Sequence, residues 1–140
     1  MENNLAQIKA VIEKMAAENE YMRFLGIEFL VLEEGRALGR IPYKKELVNP
    51  YGALHGGSLY SLADIVAGSA ACMCGSYVTT VSGNMNFMSP AGNTEYVYCE
   101  ALRLRVGKHL AVFEVKIRDE KDRLLDSGEF TFFVTSQKIV

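Results

Sequence analysis

The sequence has no apolar run long enough to cross a bilayer, no excess of positive charge, only three cysteines and no internal repeat. Each shortage excludes a class. Without a run of about 20 apolar residues, no membrane-spanning helix is expected. The N-terminus MENNLAQIKA opens with an acid and lacks the basic-then-apolar order of a secretory signal, so the expected compartment is the cytoplasm, away from any membrane. Fifteen basic against 17 acidic residues give a net charge of −2, which is no footprint for nucleic acid. This balance still leaves room for a local basic patch facing one anionic ligand. Cys72, Cys74 and Cys99 are odd in number and sit in apolar settings, which argues against a disulfide framework. Cys72 and Cys74 form a C-x-C pair with only two histidines elsewhere, so buried reduced thiols are expected rather than a metal site, and no cofactor is implied.

What is present is 140 residues, 49% of them hydrophobic, enough for one domain over 1–140 with one core. Residues 3–19 carry Leu5, Ile8, Ile12 and Met15 at helical spacing, which predicts an amphipathic helix there, and Gly26 then breaks the pattern. Residues 27–43 read as a hairpin turning at Glu33-Glu34-Gly35 and closed by Pro42. A loop over 44–56 follows, marked by Asn49-Pro50 and Gly52. Residues 57–74 lack proline and are apolar nearly all round, predicting a buried central helix with Gly75 as its stop. Strands are predicted over 77–88, 94–106, 109–118 and 124–136. In the third of these, Ala111, Phe113, Val115 and Ile117 face one way and Glu114, Lys116 and Arg118 the other. Strands running around one helix make the fold α+β, an antiparallel sheet wrapped on that helix, with an additional N-terminal helix.

From Leu47 to Thr94 the only formally charged residue is Asp64. It lies about two turns into the central helix, between Ala63 and Ile65. A carboxylate there is costly unless paired, and Asp is a mediocre mid-helix residue. Either it is a structural acid bonded to a nearby loop, or it is a functional acid at the floor of a cleft. Leu54-His55-Gly56-Gly57 leads straight into this helix. A helix start offers free N–H groups and a positive dipole end, and two glycines admit a ligand close to the backbone. Such a place suits a carbonyl oxygen that gains charge during attack. Asp64 follows Gly57 by seven residues, about 10 Å along one helix at 1.5 Å per residue. One copy therefore cannot bring both to one carbonyl, whereas two antiparallel copies of the helix can, which predicts a site shared across a homodimer.

Asn49-x-x-Gly52-x-x-His55-Gly56-Gly57, followed by Leu62-Ala63-Asp64, resembles the PaaI-like acyl-CoA thioesterases of the hotdog fold. The strand Thr80-Val81-Ser82-Gly83-Asn84-Met85-Asn86-Phe87-Met88-Ser89-Pro90 is similar to the one that follows the helix in that family, and the resemblance covers residues 22–136. It implies Asp64 as nucleophile or general base and Gly56 N–H as the donor that polarises the thioester carbonyl. Asn49 and His55 would stand near that carbonyl, with Gly57 on the same loop. Thr80 is implied as the hydroxyl that holds the attacking water, with Ser82 as the neighbouring alternative. The resemblance also implies an acyl-CoA substrate, dimers with shared sites and tetramers built from them.

Arg103, Arg105 and Lys108 gather near one turn, either as a solvated strand end or as a seat for the phosphates of coenzyme A. Tyr51, Tyr60 and Phe87 are candidates to line an acyl tunnel, and His109 reads as a solvated turn residue. Gly57-Ser58 lacks the G-x-S-x-G elbow, and no Lys completes a phosphate loop. Two other functions fit the same outline. A hydroxyacyl-thioester dehydratase or hydratase also pairs His with a carboxylate, and a non-catalytic module would bind acyl-CoA without turnover.

Overall fold

The computed structural model describes residues 2–140. Two helices open the chain, α1 (Glu2–Glu18) and α2 (Glu20–Leu25). A hairpin follows, β1 (Glu28–Glu33) and β2 (Arg36–Pro42). After a loop comes the long helix α3 (Gly56–Cys72), then β3 (Ser76–Phe87), β4 (Tyr96–Val106), β5 (Leu110–Arg118) and β6 (Leu124–Lys138). The six strands form one antiparallel sheet in the order β1-β2-β4-β5-β6-β3. Strands β1 and β3 are its edges.

The sheet wraps α3, as expected. Leu62, Ala63, Val66, Ala67 and Ala70 on the helix pack with Ile41, Val97, Cys99, Phe113, Val115, Ile117, Phe130 and Phe132 on the strands, all buried. Small residues let the helix lie close. A Cβ at Gly39 would stand 2.7 Å from Val66 Cγ2, so β2 needs glycine where α3 crosses it. The alternation expected in β5 holds, with Ala111, Phe113, Val115 and Ile117 all buried.

Four details differ from the sequence reading. Residues 20–25 form a separate helix, capped by the Asn19 side chain and ended by Gly26 in the left-handed conformation. In α1 it is Ala16, not Met15, that joins Ile8 and Ile12 in the buried stripe, since Met15 is 40% exposed. The central helix starts at Gly56 and its last turn closes on Met73, so Gly75 acts in the turn that follows. Cys72 and Cys99 are buried free thiols as expected, and burial pushes Cys72 up to about 11, but Cys74 is exposed.

Candidate active site

The start of α3 is built by the loop before it. His55 N–H donates to Leu47 O at 2.8 Å, Ser58 Oγ donates to the same carbonyl at 3.0 Å, and Leu54 N–H donates to Ala91 O at 3.0 Å. His55 is extended, with φ −63° and ψ 139°, and caps the helix by accepting the Gly57 N–H on Nδ1 at 2.8 Å. An acceptor Nδ1 leaves Nε2 as the ring's outward donor. Gly57 N–H is thereby occupied. Gly56 N–H, one residue earlier, has no acceptor among the described residues. It is a free donor at the positive end of the helix.

Asn49 stands beside it with its chemistry already divided. Its Oδ1 accepts Tyr51 N–H at 2.9 Å and Ala53 N–H at 3.1 Å. Both donors are backbone amides, so oxygen must occupy that position and the NH2 group is left to donate elsewhere. Asn49 and Gly56 line one cleft of about 220 Å³, together with Leu59, Phe87, Ala91 and Asp126.

Asp64 lies further along α3, half-buried, where its Oδ1 accepts the Thr80 hydroxyl from β3 at 2.7 Å. The second oxygen is left for another partner. A second cleft, of about 170 Å³, reaches this pair between α1, α3 and β6, lined by Ile12, Met15, Ile65, Val78 and Phe132. The two half-sites occupy different rows of the sheet. Thr80 pairs across to Phe132, Ala111 and Val106, whereas Phe87 pairs across to Asp126, Ile117 and Cys99. Positions 126 and 132 of β6 lie about 20 Å apart at ~3.3 Å per residue. A single chain therefore keeps Asp64 and Gly56 apart, as the helix spacing required.

A bulge decides which hydroxyl reaches Asp64. The β3–β6 register shifts between Thr80 and Ser82. Thr80 lies opposite the buried Phe132, on the face toward the helix, while Ser82 lies opposite Thr131, on the other face. Residues directly opposite share a face, so Ser82 is not brought to the acid. A second bulge acts likewise on the basic cluster. The β4–β5 register shifts between Arg103 and Arg105, placing Arg103 opposite buried Phe113 and Arg105 opposite Val112. The two arginines stand on opposite faces, and Lys108 sits in the hairpin turn beyond them. Tyr51 is 92% exposed and lines neither cleft, Tyr60 packs on Phe130 with ring centroids 5.0 Å apart, and Phe87 stands in the Gly56 cleft.

Asp126 is the group that reading the sequence missed. It is fully buried, its two carboxylate oxygens have no hydrogen-bond partner among the described residues, and burial pushes its carboxyl up to about 7. The signal was present in the strand pattern: counting back by twos from Phe132 and Phe130 on the inner face of β6 arrives at Asp126.

The thioesterase superfamily model matches residues 51–125, which hold the start of α3, Asp64 and Thr80. A provisionally named esterase of Saccharolobus solfataricus is 30% identical over 134 residues, covering 94% of this chain and 95% of that protein. The human protein named acyl-coenzyme A thioesterase 13 is 29% identical over 129 residues, covering 89% and 91%. The PaaI protein from the phenylacetic acid degradation operon of E. coli superposes with a TM-score of 0.89 over 96% of this chain and 98% of its own, at 19% identity. That likeness shows the fold, a sheet wrapped on one long helix.

Proposed function

The chain belongs to the thioesterase superfamily, and on this premise we propose that it hydrolyses an acyl- or aryl-acyl-CoA thioester to the free acid and CoA, at a site shared by two subunits. The observation that carries the reading is the pair of free donors at the start of α3, Gly56 N–H and the Asn49 NH2, facing one cleft. The relatedness to a protein named acyl-coenzyme A thioesterase 13 supports CoA as the carrier.

In this mechanism the thioester oxygen accepts hydrogen bonds from Gly56 N–H and Asn49, and these strengthen as the carbonyl becomes an oxyanion. Loss of one such donor typically costs ~3–4 kcal/mol of barrier. His55 Nε2–H is a third donor on the same loop. Asp64 of the other subunit acts through the oxygen that Thr80 leaves free. Either it takes a proton from a water that attacks the carbonyl carbon, or it attacks that carbon itself and the resulting anhydride is hydrolysed. In both routes the C–S bond breaks and CoA leaves as thiolate. Thr80 fixes the carboxylate's orientation.

The outer edge of β3 supports the shared arrangement. This strand is 12 residues long, has no neighbour on one side, and exposes Val81 and Phe87. A long unpaired edge is a template for pairing with another strand. Two β3 strands paired antiparallel about an axis near Gly83 set Thr80 close to the partner's Phe87, and with it Asp64 close to the second Gly56.

The direct test is release of free thiol from a panel of acyl-CoA thioesters by wild type and by Asp64→Ala. The variant is expected to keep its fold, by circular dichroism and melting, and to lose at least about 100-fold in kcat. Turnover like wild type's would remove Asp64 from the mechanism.

A further inference from the structure

The carboxyl of Asp126 has no evident structural task. It points to the inner face of the sheet, in the row Cys99–Ile117–Asp126–Phe87, and the three other members are apolar or a buried thiol. Nothing on β5 or β3 answers its hydrogen-bonding capacity. A buried polar group left unpaired costs stability, and an acid more than most. What distinguishes its place is the cleft it lines. Phe87, directly opposite Asp126 across β3 and β6, also stands against Gly56, whose added Cβ would meet the Phe87 ring at 3.7 Å. Asp126 thus lies one side chain away from the free N–H at the start of α3, on the wall of the same cleft.

The inference rests on the thioesterase reading and narrows its substrate. A thioester whose carbonyl is held by Gly56 and Asn49 has two arms. The CoA arm is long and charged and must run out through the mouth of the cleft. The arm that reaches a fully buried wall is the acyl group. We propose that Asp126 is the acyl-specificity residue of this enzyme, accepting a hydrogen bond from a donor group carried on the acyl chain or ring, a hydroxyl or an ammonium. Bound substrate would then supply the partner that the folded chain withholds. An unsubstituted acyl group leaves the carboxyl desolvated and unanswered, so the site discriminates against it. The cleft's ~220 Å³ holds about seven water-sized groups at ~30 Å³ each, which suits a short chain or one ring.

The experiment compares kcat/KM for matched thioesters that differ only in the donor: 3-hydroxybutyryl- against butyryl-CoA, 4-hydroxybenzoyl- against benzoyl-CoA, and β-alanyl- against propionyl-CoA. In wild type at least one pair should favour the donor-bearing member by about 10-fold or more, as loss of a hydrogen bond to a charged group implies. The hydroxyl and ammonium arms say which donor the site takes. In Asp126→Leu the same ratio should fall to about one or invert. Asp126→Asn, of similar shape and still able to accept, should keep part of it. A ratio within one protein is independent of how much of that protein is folded, so a destabilised variant still reports. Turnover of all pairs without preference by wild type overturns the inference alone and leaves the thioesterase reading standing. A wild-type preference that survives unchanged in Asp126→Leu does the same. Absence of turnover with every thioester overturns both.

Discussion

Asn49 and Asp126 show how differently two polar side chains of one cleft are treated. Asn49 uses its oxygen on the backbone of its own loop and leaves its NH2 free to donate. Replacing it with aspartate preserves the acceptor and removes the donor. Asn49→Asp should therefore melt close to wild type yet lose about 100-fold in kcat, because a carboxylate beside a forming oxyanion withdraws one donor and adds repulsion. A large fall in melting temperature with normal turnover per folded molecule would show that the amide serves the loop only. Asp126 has the opposite balance. Its folded carboxyl releases a proton at about 7, whereas in the unfolded chain it does so in the ordinary carboxylate range near ~3.9. Between those values the folded state binds more protons than the unfolded state. The contribution of this group to stability is therefore fully present below about pH 4, declines as pH rises, and is lost above about pH 7. Asp126→Asn has no such proton to release. Its melting temperature relative to wild type should rise between pH 5 and pH 8, measured without substrate, and a flat difference would contradict the burial that raises the acid.

At the scale of elements, β3 serves two faces and an edge. Its inner face presents Thr80 to α3, its paired edge carries the bulge that turns Ser82 away, and its other edge is unpaired in the single chain. Val81 lies at this bulge and is 58% exposed in the single chain. Glutamate in its place costs a solvated strand little but opposes burial against a second copy of itself. Val81→Glu should shift the protein toward monomer in size-exclusion chromatography with light scattering, and activity should fall in step with the dimer fraction. A fully active monomer would dispose of the shared site. The helix α3 is equally divided along its length. Its first turn offers one free backbone donor, Gly56 N–H, and its middle carries one charge, Asp64.

Under the proposed shared site, each chain is complete in its fold and supplies half of the chemistry. Gly56→Pro isolates one half. Proline is favoured at the first helical position and lacks only the N–H, and His55 already has the extended backbone that a following proline prefers. A Cβ at Gly56 meets Phe87 at an ordinary 3.7 Å, so the variant should fold. Asp64→Ala and Gly56→Pro, each inactive, should regain activity when mixed and allowed to exchange subunits. The mixed dimer has one site with both defects and one intact, so recovery approaches about a quarter of wild type at statistical exchange. Proven exchange with no recovery argues that each chain works alone.

Periodicity determined most of the elements, through helical spacing in α1, alternation in β5 and an apolar stretch around α3, while the short α2 escaped it. The same rules marked Asp64 as a lone charge and His55-Gly56-Gly57 as the lead into a helix, because those are properties of neighbours in the chain. Tertiary structure alone decided what bulges control. One extra residue in β3 sent Ser82 to the far face and left Thr80 with the acid, and one in β4 parted Arg103 from Arg105. It also decided the environment of Asp126, which in the chain sits among Leu125, Ser127 and Gly128 like any strand residue. Burial is a sum over strands distant in sequence, so only the assembled sheet reveals an acid with no partner.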